Sequence, residues 1–197
     1  MKRLIKIGAF GVSLLLAGPL IAVAWLEKRL LRTEGFFLTA AQLVAIFPGP
    51  MGMYLRSAFY FGTLDACSWE VHVGFGTLFT HRGARVGRNV STGAYCVIGH
   101  ARIAAGVRLA SRVSIPSGRR QHFDDAGRLS DDTRFEEVSI GEGCWIGEGA
   151  VVMANVGSGC VVSAGAIVSR AMPARFLVAG NPAQALRQID AAPEEGG

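Results

Sequence analysis

Hydrophobic positions along the chain follow three successive patterns. Residues 7–26 carry no charge, and about 20 apolar residues are what a helix needs to cross a bilayer. Gly18 and Pro19 interrupt this run, so a bend there is expected. A second apolar run, residues 36–47, ends at Pro48-Gly49-Pro50. As a helix it would be about 18 Å long, too short to cross, and we read it as a segment lying in the membrane interface. From about Val71 the pattern becomes a repeat of six. Its anchors are Val86, Thr92, Ile98, then Ile103, Leu109, Ile115, then Ile140, Ile146, Val152, then Val156, Val162, Val168. The residue after an anchor is usually small, as at Gly87, Gly93, Gly141 and Gly147.

A β-branched anchor followed by a small residue suits a short strand that packs one side chain inward and then turns tightly. Three such units close a triangular coil, and stacked coils bury the anchors in a continuous core. The spacing shortens between Ile98 and Ile103 and again between Val152 and Val156, which predicts two tighter corners. Cys96, Cys144 and Cys160 each stand four residues after an anchor, where other repeats have Val90, Val107, Val113, Ala150 or Ala166. Cysteine there fills a small inward slot as a hydrophobe. The four cysteines form no CxxC pair, so zinc-ribbon and redox motifs are not readable.

Composition agrees with a turn-rich solenoid: 26 glycines in 197 residues exclude an ordinary helical bundle. The net charge of +5 is concentrated at the start, where Lys2, Arg3, Lys6, Lys28, Arg29 and Arg32 lie. No basic stripe follows, so there is no nucleic-acid footprint. Cations beside apolar sequence are the pattern of a membrane anchor. Ala22-Val23-Ala24 also fits a signal-peptidase site, so cleaved signal and uncleaved anchor both stay open. Basic residues flank the segment on both sides, and the positive-inside count is a tie.

The repeat is broken once, at residues 117–139, reading SGRRQHFDDAGRLSDDTRFEEVS. A loop of that length inside a tight solenoid is usually functional. It holds His122, with Asp124, Asp125, Glu136 and Glu137 as candidates to orient the ring. His72, His81 and His100 are single residues at strand or corner positions and read as structural or exposed. GxxxxGK, GxGxxG and GxSxG patterns are absent from the sequence.

The segments IGEGCWIGEGAVVMANVG (140–157), VVSAGAIVSRAMP (161–173) and VAGNPAQALR (178–187) resemble the final coils and cap of the hexapeptide-repeat acyltransferases. Within that group the chain is similar to maltose and galactoside acetyltransferases and polysaccharide O-acetyltransferases, over residues 71–187. The resemblance implies an all-β fold, a left-handed parallel β-helix; the apolar run before it adds an N-terminal membrane-associated helical segment, and a short C-terminal helix completes the expected fold. Its hand comes from the resemblance alone, since ordinary crossovers favour the opposite one. The division expected is an anchor at 1–34, a connecting segment at 35–70, the acyltransferase domain at 71–179 with its loop at 117–139, and a cap and tail at 180–197.

The same resemblance implies transfer of an acetyl or other acyl group from acyl-coenzyme A to a sugar hydroxyl, in cell-surface or exopolysaccharide synthesis. His122 would be the general base, a role imidazole suits near neutral pH. Ala164 and Ser169 would lie along the pantetheine arm of acetyl-CoA, Arg170 and Arg187 toward its phosphates, and Trp145 at the coil wall, by packing or by cofactor contact. Glu148 stands where the family often has a small hydroxyl residue, and Thr92 where several members have asparagine. A homotrimer with sites between chains is implied. A lipid-linked sugar or nascent polysaccharide is the favoured acceptor, with a small soluble acceptor as the alternative. Because coenzyme A is cytosolic, the expected location is the cytoplasmic face of the inner membrane, with lipid contacts through the N-terminal segment. No metal is expected. Two rival readings are a γ-type carbonic anhydrase-like metalloenzyme and a non-catalytic membrane scaffold. The first needs three histidines around zinc, and the sequence has no close pair.

Overall fold

A computed structural model describes residues 2–119, 121–124, 126–132 and 134–190. Three helices come first: α1 (Lys2–Leu30), α2 (Gly35–Ala45) and α3 (Gly49–Thr63). α1 continues as one helix through Gly18 and Pro19. Its inward stripe of Ser13, Ala17, Ala24 and Glu27 is buried, at the spacing of one helical face. It packs along α3, where the Trp25 indole N–H donates to the Gly62 carbonyl at 2.8 Å and a Cβ on Gly62 would strike Ile21. The opposite stripe, including Val12, Leu15, Leu16, Val23 and Leu26, is exposed.

α2 turns Phe37, Ala40, Ala41 and Val44 inward and leaves Leu43 exposed. α3 has proline in its first turn, where the missing N–H costs nothing. The Arg56 side chain is fully enclosed and donates to the carbonyls of Val73, Val44, Ala45 and Phe47. A guanidinium thereby satisfies the end of α2, whose last carbonyls have no partner within their own helix. Tyr60 of α3 packs edge-on against Phe79, with ring centroids 4.7 Å apart, and its hydroxyl accepts from the Phe79 N–H. α3 therefore plugs the open start of the solenoid, as a stacked repeat requires at its ends.

The solenoid has three walls. Wall 1 holds Ala66–Cys67, Arg85–Val86, Ala101–Ile103 and Val138–Ile140, and single bridges extend it through Val156 and Met172. Wall 2 runs from Ser91–Thr92 through Arg108–Leu109, Trp145–Ile146 and Val161–Val162 to Phe176–Gly180. Wall 3 runs from Leu78–Phe79 to Ile167–Val168. Within these walls the strands pair in parallel and the anchors stack in register, Val86 on Ile103 on Ile140 and Thr92 on Leu109 on Ile146 on Val162. The repeat anchors named from the sequence are all buried. So are Cys96, Cys144 and Cys160 in their slots, and burial pushes the Cys144 thiol up to about 11.

Three details depart from the sequence reading. The solenoid begins at Ala66, ahead of Val71, because Ala66 and Cys67 pair with Arg85 and Val86. The small residues after the anchors answer to packing more than to turning. At Gly147 the backbone dihedral is ordinary, but a Cβ would fall on the Ala164 nitrogen of the next coil. The expected short C-terminal helix is a strand, Ala183–Gln188, paired antiparallel with Phe176–Gly180. The free edge of wall 2 supplies hydrogen-bond partners that a helix there would forgo. The tail beyond residue 190 lies outside the described residues.

Candidate active site

The two shortened spacings and the long insertion all fall on one edge of the prism, where wall 3 passes to wall 1. The insertion leaves after Ser114–Ile115 and returns at Val138–Ile140. Its base is closed by the Glu136 N–H donating to the Ser117 carbonyl, 3.0 Å, and the buried Ser117 hydroxyl accepts from the His100 N–H of the coil below, 2.8 Å. Beyond the base the loop folds back on itself. The Arg134 N–H reaches the Gln121 carbonyl, the Ser130 N–H the His122 carbonyl, and Phe123 bridges Leu129. At the tip Asp124 accepts from the Ala126 and Arg128 N–H groups and from the Arg128 guanidinium. Those bonds, the Arg128 backbone one first, hold its carboxyl below the usual range.

Between the loop base and the last two coils lies a cleft of about 340 Å³. Arg119 and Glu136 form one bank; Asn155, Ser169 and Arg170 form the other. Arg119 spans it, donating from Nη1 to the Ser169 carbonyl at 3.1 Å. The Asn155 side chain accepts from the Ser139 N–H at 2.9 Å, which fixes the returning strand to the shortened corner of the next coil.

The residues named from the sequence are not all gathered here. Ser169 and Arg170 line the cleft. His122 is exposed on the loop above. Ala164 is exposed on the neighbouring edge, between walls 2 and 3, stacked on Gly147. Trp145, 45% exposed, lies on wall 2 between Arg108 and Val161, and Arg187 is exposed on the last strand of that wall, opposite Leu177. Within one chain these groups therefore occupy two edges and a wall.

Other candidates have partners elsewhere. Glu148 pairs with Arg112, and the Thr92 hydroxyl accepts from the Gly74 N–H. Of the described acids named to orient His122, Glu136 and Glu137 both line the cleft, Glu137 paired with Arg102 at 2.9 Å, whereas Asp124 is held by Arg128 at the loop tip. Asp125 lies outside the described residues.

Arg119 and Asn155 were missed in the sequence. Arg119 lies among the charges of an ordinary surface loop, and Asn155 occupies a corner whose shortening was visible but whose partner was not. His81 proves to be a tie between units: its Nδ1 is 3.1 Å from Glu34, which also accepts from the Arg82 N–H. The loop's Phe135 ring lies tilted against the His81 ring, with centroids 4.3 Å apart. Among the described residues, no three His, Cys, Asp or Glu side chains converge as a metal site would require.

The three-walled parallel β-solenoid is a fold shared with solved acetyltransferases. The chain is similar to a maltose O-acetyltransferase from Clostridium difficile 630, at 20% identity and a TM-score of 0.69, covering 79% of this chain and 86% of that one. It is also similar to a hexapeptide-repeat containing acetyltransferase from Vibrio cholerae, at 18% identity and a TM-score of 0.64, covering 79% and 90%. A galactoside acetyltransferase in complex with coenzyme A matches at 20% identity and a TM-score of 0.60, covering 77% and 78%. No protein-family model matches the chain, and no curated protein matches its sequence.

Proposed function

We propose that the protein is an acyltransferase that moves an acetyl group from acetyl-coenzyme A to a hydroxyl of a sugar carried at a membrane surface. The observation that supports this most is the cleft in which the loop base, with Arg119 and Glu136, meets Ser169 and Arg170 of the last coils, in a fold shared with a galactoside acetyltransferase that binds coenzyme A. The donor lies along the last coils past Ala164 and Ser169, with Arg170 and Arg187 toward its phosphates and Trp145 on the wall. His122 takes the proton of the acceptor hydroxyl as its oxygen bonds to the thioester carbonyl carbon. The tetrahedral intermediate then expels the thiolate, which recovers that proton from the imidazolium. A thioester is already activated, so no covalent enzyme nucleophile is needed.

Because His122 is exposed and Ala164 occupies a different edge, the complete site is formed between chains of a homotrimer. Wall 3 supports this reading, since four of its five outward residues, Leu78, Val97, Val151 and Ile167, are apolar, with Ser114 the fifth, and none is fully buried. The exposed apolar stripe of α1 supports attachment to the cytoplasmic face of the inner membrane and hence a lipid-linked sugar or nascent glycan as acceptor. Incubating membranes with radiolabelled acetyl-coenzyme A tests the proposal. Label should appear in a glycan as an alkali-labile ester; an alkali-stable amide would assign N-acylation, and label found only in a small soluble product would redirect the acceptor.

A further inference from the structure

A second recess of about 320 Å³ lies far along the fold from the cleft, where the beginning of α1 crosses α3 and the first coil at the edge between walls 1 and 2. Arg3, Lys6, Phe10, Tyr54, Trp69 and His72 line it, together with Glu70. Arg3 and Lys6 are exposed, and neither has an ion-pair partner among the described residues, while Glu70 opposes only one of the two charges. The floor is aromatic: Phe10 meets Trp69 edge-on, with centroids 6.1 Å apart, and Phe61 at 5.5 Å. Outside the recess lining, the same helix carries the exposed apolar residues Ile7, Val12, Leu15 and Leu16.

We propose that this recess binds the phosphate of a membrane amphiphile, with the headgroup against Arg3 and Lys6 and the first carbons of its chain against Phe10, Trp69 and the α1 stripe. Two unpaired cations favour a phosphate of one or two charges. The exposed apolar surface carried by the same helix favours an anion with a hydrocarbon chain, and Tyr54 and Trp69 suit the boundary between headgroups and acyl chains. His72 adds a reporter inside the site. Burial first, and the charge of Lys6 second, hold its imidazole below the ordinary value; an anion bound beside it would reverse the second effect and raise it.

The site does not depend on the acyl-transfer reading, because its ligand is tested by binding without acyl-coenzyme A. The full chain in detergent is titrated with a short-chain phosphatidic acid below its micelle concentration and, separately, with inorganic phosphate. Trp69 fluorescence is followed in a Trp25→Phe, Trp145→Phe background, and the His72 ring is followed by NMR across pH. The short-chain lipid should bind saturably at one site and move the His72 titration upward, and inorganic phosphate should bind at least about tenfold more weakly. Arg3→Gln with Lys6→Gln should weaken the lipid by about tenfold or more relative to Lys28→Gln with Arg29→Gln, which removes equal charge from the other end of α1. Equal loss in both double variants would reduce the effect to general attraction and overturn the site. Equal affinity for inorganic phosphate would overturn the amphiphile, and an unmoved His72 titration would put the anion elsewhere.

Discussion

His122 and Gly147 illustrate opposite uses of a single position. His122 is exposed on a folded-back loop, free of packing, so its loss should affect chemistry alone. His122→Ala is expected to lower kcat by about 100-fold or more, the scale of a lost general base, with coenzyme A binding nearly unchanged. Activity within a few-fold of wild type, read in a steady-state assay, would remove His122 from the mechanism. Gly147 is the reverse case, enclosed by the Ala164 backbone of the next coil. Gly147→Val should destabilise the fold by at least about 2 kcal/mol through overpacking, measured by denaturant unfolding. The inward cysteines resemble Gly147 in this respect: Cys144 is enclosed and its thiol pushed up by burial, so it should not react with thiol reagents until the protein unfolds.

Helices and loop are joined to the solenoid by a few polar groups in apolar surroundings. Arg56 is the chief of these, since its one side chain serves four backbone carbonyls. Arg56→Met should cost about 3 kcal/mol and loosen α2 first, which hydrogen exchange would register as early opening of Gly35–Ala45. Glu34 makes a second tie. Burial works to raise its carboxyl, but the hydrogen bonds from His81 and from the Arg82 N–H, with their charges, outweigh that and hold it below the ordinary value. A depressed carboxyl adds stability that is complete above its unfolded pKa and fades as pH falls through the folded one. The melting-temperature gap between wild type and Glu34→Gln should therefore be largest near neutrality and shrink through and below the usual glutamate range. A gap independent of pH would exclude the ionised tie.

Taken together, the helices form a base at one end of the solenoid and the loop marks an edge nearer the other. α1 meets the solenoid through Trp69 and Arg82 of the first coil, the latter by a buried pair with Glu27. A helix docked in this way along its length is suited to lying in one leaflet, with its apolar stripe down, more than to crossing. Cysteines placed at Leu4 and Leu30, both exposed, should then be labelled from the same side of a sealed membrane; labelling from opposite sides would mean that α1 leaves its dock and spans. A cyclic trimer about an axis parallel to the solenoids would set three such helices in one plane. Shared clefts in that trimer are testable by mixing His122→Ala chains with Ala164→Trp chains. Some activity should return if one cleft draws on two chains, and none if each chain is complete alone.

Much of this was legible in the order of residues. A six-residue period is a local regularity, and because each coil packs only on its neighbours, the period fixes the walls, the inward anchors and the slots of Cys96, Cys144 and Cys160 without knowledge of anything distant. The insertion was visible for the same reason, as an interruption of a known rhythm. What could not be read was every relation between segments remote in the chain. The order of residues does not say that Arg119 reaches Ser169, that Asn155 holds Ser139, or that Glu34 meets His81, since such pairs have no spacing rule and depend on how coils and helices are stacked. The same holds for α1: twenty uncharged residues describe a helix able to cross a bilayer, and its packing on α3 and the first coil, set by Gly62, Trp25 and the Glu27–Arg82 pair, is what turns one face inward and leaves the other exposed.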